Sequence, residues 1–435
     1  MSSVTIGVIV FALMLLLIFI GVPIFTAMMS ASIIGLYWLT GGTMTMMQFV
    51  NGPFQLSVSY TYAVVPLFIV VGVLAGETGI ASGAFTSMKK WLGRFRGGLL
   101  YATICANTVF GACSGLAAAG NVVFTKIATP ELTKAGYNRS ISLGCITAAG
   151  CLSALIPPSI PIITFCLLTG VSIGQALVCG VSGGLLLTVL MCITVRIIAF
   201  VKPDLIPLVT EEDKHVSMVE KLKTLKLLLP IVALFALIVG GSFFGWFPAT
   251  VGGAVAMVAV IIYALAKHMP VKEIFNQVWD GAIVFGNFFL IIVAGTMFSR
   301  VIALSGLADA ISGWISSMHI APFAVFLVVL VFYLVCGCLM EMMSMLIITL
   351  PIIFPLLVGL GYDPLILVVC LVFIMDMAQM SPPVGMGVFM VAATAKVSTT
   401  EIFKGIIPFF IVDIVAVLLM ALFPQIVLWL PNLMA

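Results

Sequence analysis

A chain of 435 residues that is 63% hydrophobic and only 8% charged, with a mean hydropathy of +1.33, is not a soluble globular domain, in which roughly a quarter of residues are charged. It is expected to be an all-α polytopic membrane protein. The net charge of +3 matters less than its distribution, and no nucleic-acid partner is expected. The ten cysteines form no CxxC pair, and the three histidines (His215, His268, His319) show no metal-ligand or nucleophile–base spacing, so an enzyme is not expected either.

A helix needs about 20 apolar residues to cross a bilayer core. Val4–Ile20 and Val22–Leu39 fit two spans. Thr43–Tyr60 is mixed, with Asn51-Gly52-Pro53 as a turn, and reads as interfacial; Tyr62–Ala75 is a third span. Ala81–Arg96 sets Lys89, Lys90, Arg94 and Arg96 beside Met88, Trp91, Leu92 and Phe95, the pattern of an amphipathic helix at a membrane surface. Leu99–Ala128 is crowded with small and polar residues, including Asn107, Gly111, Ser114 and Gly115. A lipid-facing span has no need of these, whereas a hairpin that enters and leaves by one face does. Pro130 is expected to end it.

The segment 139–168 contains Ile156-Pro157-Pro158-Ser159-Ile160-Pro161. Two adjacent prolines remove two backbone donors and clash with the preceding turn, and the residue before each is pushed out of helical angles. The helix must break there. In lipid, the freed carbonyls are tolerated only if they are buried in protein or line a wet cavity, so the break marks a site. A span at 171–201 and a charged linker at 202–226 complete the first half. The second half holds spans at 227–239 and 248–266, an interfacial polar stretch at Val271–Asp280, a span at Ala282–Leu304 with Arg300, and an amphipathic Leu307–Met318. A second small-polar hairpin at 321–360 carries Gly337, Glu341 and Ser344. A second broken helix at 364–395 carries Asp376 and Ser381-Pro382-Pro383-Val384-Gly385, and a last span runs from 406 to 430.

The halves 1–201 and 227–435 match in register. Pro157 recurs as Pro382, Gly136-Tyr137 as Gly361-Tyr362, Gly111 as Gly337, Val171-Ser172 as Val397-Ser398 and Gly79 as Gly306, the offset drifting only from 225 to 227. If both hairpins are re-entrant, every basic residue except Arg300 falls on one face, which the positive-inside rule makes cytoplasmic. Both termini are then periplasmic, and the two halves are inverted repeats. Two broken helices in corresponding positions point to a transporter's binding site.

Three groups of residues carry a family likeness. They are Gly111-Ala112-Cys113-Ser114-Gly115 with Pro130-Glu131-Leu132-Thr133-Lys134-Ala135-Gly136-Tyr137; the run Ile156 to Pro161; and Gly337, Glu341 and Pro351 with Ser381-Pro382-Pro383-Val384-Gly385-Met386. On these the chain resembles, over essentially its whole length, the large membrane subunit of tripartite ATP-independent periplasmic (TRAP) transporters, the DctM-like family. The resemblance implies an inverted-repeat ion-transporter fold of elevator type in the bacterial inner membrane. It implies uptake of a small organic anion, a carboxylate or sulfonate, driven by Na+. The implied partners are a periplasmic substrate-binding protein and a small four-helix membrane subunit; since Met1 opens directly on the first span, that subunit is expected on a separate chain. Three positions depart from the family. Phe247-Pro248-Ala249-Thr250-Val251 lacks an acidic residue common there, Leu116 stands where serine is common, and Ser381 replaces a threonine.

Sodium takes several mostly uncharged oxygens, which broken helices and hairpin tips supply. One expected sodium site uses Gly111, Ser114, Gly115, Ser153, Pro157 and Ser159; its counterpart uses Gly337, Glu341, Ser344, Ser381, Pro382 and Gly385. The anion is expected between the tips, near Asn107, Ser114, Pro158, Ser344, Asp376 and Pro383, with Arg300 as a further contact. A stand-alone sodium–dicarboxylate symporter that needs no binding protein shares these features and remains the alternative.

Overall fold

The computed structural model describes residues 1–208, 217–338, 340–382 and 385–433, and every regular element among them is helical. The first half contains α1 (Ser3–Phe19), α2 (Ile24–Thr40), α3 (Gly42–Val58), α4 (Val64–Glu77), α5 (Ile80–Leu92), α6 (Gly98–Ser114), α7 (Ala117–Lys134), α8 (Arg139–Gly150), α9 (Leu152–Leu155), α10 (Ile160–Thr169) and α11 (Ile173–Val201). The second contains α12 (Met218–Phe235), α13 (Ala249–Ala266), α14 (Val271–Ser305), α15 (Leu307–Ser317), α16 (Pro322–Cys336), α17 (Met342–Gly359), α18 (Pro364–Ala378), α19 (Met386–Ala395), α20 (Thr399–Leu422) and α21 (Gln425–Leu428). Five helices are long and apolar enough to cross a membrane, or up to seven if α4 with α5 and α8–α9 with α10 each count as one bent span.

The core sits on the broken helices. Every residue of α8 from Ile141 to Gly150, and of α18 from Ile366 to Ala378, is buried. The long helices surround them and turn one face outward. On α11, Leu185, Val189, Ile193 and Ile197 are exposed at four-residue spacing while Leu187, Met191 and Val195 are buried, a stripe that suits lipid on one side and protein on the other.

Element order recurs between the halves. A left-handed glycine, Gly79 (φ 77°) or Gly306 (φ 68°), precedes the amphipathic α5 or α15. A helix pair follows, α6–α7 or α16–α17, and then an interrupted helix. The packing matches too. The incoming arms α6 and α16 lie on α8 and α18 of their own half, while the returning arms α7 and α17 pack both on those same helices and on α19 and α10 of the other half.

Several boundaries differ from those the sequence suggests. No turn forms at Asn51-Gly52-Pro53, and α3 continues through Pro53. Likewise α7 runs through Pro130 to Lys134. Each proline removes a single donor, and neighbouring helices absorb a local bend of that kind. Val271–Asp280 is no separate interfacial piece but the first turns of the 35-residue α14. The linker is shorter than expected, because Met218 onward is already helical and capped by Ser217, which accepts from Glu220 N; residues 209–216 lie outside those described. The last span ends at Leu422, ahead of Pro424, and the short α21 and a 3-10 turn at Pro431–Leu433 follow.

Candidate functional site

The first hairpin turns within two residues. Gly115 takes a left-handed conformation (φ 63°) and its N–H closes α6 on the Gly111 carbonyl; Leu116 is extended and α7 begins at Ala117. The turn rests on the break of the next helix. Ile156 leaves helical angles, the Pro157–Pro158 bond is cis, and Ser159 restarts the chain as the N-cap of α10. The two pieces diverge by 43°. Ile160 N donates to the Gly115 carbonyl at 3.3 Å. A Cβ on Gly115 would sit 1.9 Å from the Pro158 carbonyl oxygen, so only glycine permits this approach.

Polar groups collect where hairpin and break meet. Ser159 Oγ accepts from Ile162 N at 3.2 Å and donates to the Ala154 carbonyl. Asn107, Ser114 and Ser153 are all buried, and neither polar atom of the Asn107 amide nor either serine hydroxyl has a hydrogen-bond partner among the described residues. Gly120 admits both: its Cβ would lie 2.7 Å from Asn107 Oδ1 and 2.9 Å from Ser153 Oγ. Unsatisfied buried oxygens cost about 1–3 kcal/mol each, and such a cluster calls for a bound ion, polar ligand or water. The structure thus brings Asn107, Gly111, Ser114, Gly115, Ser153, Pro158 and Ser159 together; a Cβ on Gly111 would touch Ser153 Cα at 2.9 Å.

The second hairpin makes a related but different contact. A Cβ on Gly337 would meet Ala378 at 2.3 Å, at the end of α18. Ser381 Oγ lies 3.1 Å from the Leu334 carbonyl and 2.7 Å from that of Ala378. The Cys338 thiol is 3.2 Å from Ser381 Oγ and donates to the Pro382 carbonyl at 3.0 Å. Glu341 is the N-cap of α17, its carboxylate accepting from Ser344 N at 3.1 Å, which satisfies an orphan donor and suits the positive helix end. Gly385 N donates to the Ser381 carbonyl at 3.1 Å. Pro383, expected at the anion site, lies outside the described residues.

Two further expected site residues line cavities. Asp376, 3% exposed and with one carboxylate oxygen without a partner among the described residues, lines a small cavity of about 20 Å3 between Ala117 and Ala118, beside the first hairpin's turn, and Gln379 and Met380 at the second break, together with Asn121 and Cys151. That is room for one water. Arg300 is not between the tips at all. It lines a separate, open cavity with α3 and the end of α10.

Two residues escaped the sequence reading. The Asn121 side-chain nitrogen, in the orientation that satisfies its neighbours, donates to the Thr147 and Ile146 carbonyls at 3.1 and 3.2 Å and ties α7 to α8. Asp413 on α20 is fully buried, and neither carboxylate oxygen has a partner among the described residues. The rule that flags Glu341 and Asp376, an acid inside an apolar run, applies equally to Asp413.

The sequence profile of the family described as tripartite ATP-independent periplasmic transporter, DctM component, matches residues 11–426. The chain belongs to this family. It is therefore a multi-pass membrane permease component of a TRAP transporter and not an enzyme. It is 28% identical to the C4-dicarboxylate TRAP transporter large permease protein DctM of Pseudomonas aeruginosa, over 87% of this chain and 88% of that one. It is 29% identical to the sialic acid TRAP transporter permease protein SiaT of Haemophilus influenzae, over 100% and 69%. It is 26% identical to the ectoine TRAP transporter large permease protein TeaC of Halomonas elongata, over 97% and 98%. In fold, this TRAP permease is similar to the Alcanivorax borkumensis YdaH transporter (TM-score 0.61, 14% identity, 88% of this chain and 89% of that one). A second fold relative is Neisseria gonorrhoeae MtrF (TM-score 0.57, 13% identity, 99% and 95%).

Proposed function

We propose that this permease carries a small organic anion across the bacterial inner membrane together with sodium ions, receiving it from a periplasmic binding protein and working beside a small membrane subunit. The observation that carries the reading is the set of unpartnered oxygens of Asn107, Ser114 and Ser153 held between the hairpin turn and the helix break. Hydroxyl, amide and carbonyl oxygens without a resident charge suit a monovalent cation that must be released again. The N-terminus of α10, capped by Ser159, offers partial positive charge to an anion beside it. The matching residues around Gly337, Ser344, Ser381 and Gly385 form the second ion site. Named substrates of the relatives, C4-dicarboxylates and sialic acid, support an anion; ectoine extends the class to small polar solutes.

In this reading both hairpins are re-entrant, the first from the cytoplasm and the second from the periplasm, and both termini are periplasmic. The charge distribution supports that arrangement. So does the crossed packing of α7 on α19 and α17 on α10, which is what an inverted pair of repeats produces. Hairpins and broken helices move as one transport body against a scaffold of α1, α2 and their counterparts α12 and α13. Two sodium ions crossing about 100 mV supply roughly 4.6 kcal/mol, enough for a thousandfold gradient of a neutral solute.

Uptake into proteoliposomes holding the permease, the small subunit and the binding protein tests this. Uptake should require an inward sodium gradient, and Ser114→Ala and Ser153→Ala should each raise the sodium concentration for half-maximal rate by about tenfold, the scale of one lost charge-assisted contact. Sodium-independent uptake sinks the coupling, and an unchanged half-maximal concentration in both variants sinks the site. Uptake at full rate without the binding protein favours the stand-alone symporter.

A further inference from the structure

Resting on that reading of the permease's orientation, we propose that the cavity around Arg300 is a second, shallower anion site, a waypoint that holds the carboxylate of an incoming substrate before it reaches the hairpin tips. The cavity has a volume of about 350 Å3, within the range of small-ligand sites. Besides Arg300 its polar lining is Gln55, Ser59, Tyr62, Thr296 and Ser299, with no acidic residue. Arg300 is exposed and forms no ion pair with any described residue. A guanidinium is always charged and presents paired donors that match a carboxylate. The hydroxyls of Tyr62 and Thr296 donate to the Leu167 and Val293 carbonyls, which leaves the Ser59 and Ser299 hydroxyls and the Gln55 amide to donate to the rest of a small anion.

Its place on the route follows from its neighbours. Leu168 and Ser299 line both this cavity and a second one of about 280 Å3, which reaches Ile347 on α17. Ile347 lies one turn from Ser344, beside the tip of the second hairpin. One wall is α3 and α14; the other is the end of α10 and the returning arm α17. A waypoint between a fixed wall and a moving one can fill in one position and empty in another. Arg300 is also the single basic side chain outside the set that the proposed orientation makes cytoplasmic, so an anion arriving from the opposite face meets no other Lys or Arg side chain.

The test is protection of Arg300 from phenylglyoxal, followed by mass spectrometry on the purified permease with its small subunit. Succinate should slow modification of Arg300 by at least threefold. Neutral succinamide and sodium chloride at matched ionic strength should not, and the half-exposed Arg139 should react at the same rate throughout. Equal protection of Arg139, or no protection of Arg300, overturns the proposal. So does protection that appears in phosphatidylglycerol nanodiscs without succinate and is not increased by it, because the bound anion is then a lipid headgroup. In uptake assays Arg300→Gln should raise KM for substrate-loaded binding protein about tenfold, the scale of a lost charge-assisted hydrogen bond. The maximal rate should stay within twofold, and Arg300→Lys should recover part of the loss. Sodium dependence should be untouched in both. Loss of sodium coupling in the wild type defeats the mechanism proposed above and leaves succinate protection standing; loss of protection with coupling intact defeats the waypoint alone.

Discussion

At the scale of single residues, Gly115 gives the sharpest expectation. Any side chain there meets the Pro158 carbonyl at 1.9 Å, in a left-handed backbone. Gly136 shares the left-handed conformation (φ 80°) but has open space around it. Gly136→Ala should therefore cost only the conformational penalty of about 1–2 kcal/mol. Gly115→Ala should separate hairpin from break and abolish uptake even where protein is recovered; melting temperatures and uptake of the two variants decide it. Asp413 carries a second prediction. A buried carboxylate without a partner is expensive in a membrane, so Asp413→Asn should raise the melting temperature by a few degrees while slowing uptake. A variant that is more stable and equally active would mark Asp413 as a packing residue. Ser114 and Ser159 were legible because they sit in motifs with small residues and prolines. Asp413 was missed because the run from Ile406 to Leu422 otherwise reads as an ordinary span, and burial on all sides is invisible in a sequence.

At the scale of elements, α5 is tied on two sides. Lys89 reaches Glu131 on α7 at 2.5 Å, Lys90 lies 3.7 Å from Glu220 on α12, and Trp91 Nε1 donates to the Lys221 carbonyl at 3.2 Å. Hydrogen bonding to the Lys89 ammonium holds the Glu131 carboxyl below the usual carboxylate range. A depressed pKa contributes stability above the unfolded value near 4.5 and loses it as pH falls through the folded one. The α5–α7 contact should therefore loosen only below that range. Because both side chains are partly exposed, Lys89→Met should cost at most about 1 kcal/mol. Protection factors of the α5 amides, with the intrinsic exchange rate at each pH divided out, would register the loosening, and protection at pH 3.5 equal to or higher than at pH 7 would contradict it. The amphipathic pattern of α5 and α15 was plain from residue spacing. The passage of α3 and α7 through Pro53 and Pro130 was not, since a lone proline ends a helix or bends it according to what packs alongside. The same limit applied to Val271–Asp280: its polarity marks a surface, and polarity alone does not say whether the helix stops there.

At the scale of the whole molecule, the register of the repeat was readable because glycines and prolines punctuate both halves at one offset. The pairing of returning arms with the opposite half was not, because it depends on how the halves dock. The halves are also unequal in one respect. In the first, α3 and α4 are separate helices; in the second, their counterpart is the single rod α14. Thirty-five residues make a rod about 52 Å long, far more than the roughly 30 Å of hydrocarbon it must traverse. It has to lean or protrude, and its lean is bound to the acyl thickness around it. Gly281 against Val70 and Gly295 against Ile347 fasten this strut to both the first half and the second hairpin, so a change of lean reaches the helices proposed above to move. The transporter should then be a gauge of its bilayer. Turnover in liposomes of graded chain length should pass through a maximum, and a flat profile from 14-carbon to 22-carbon lipids would show that the strut slides freely.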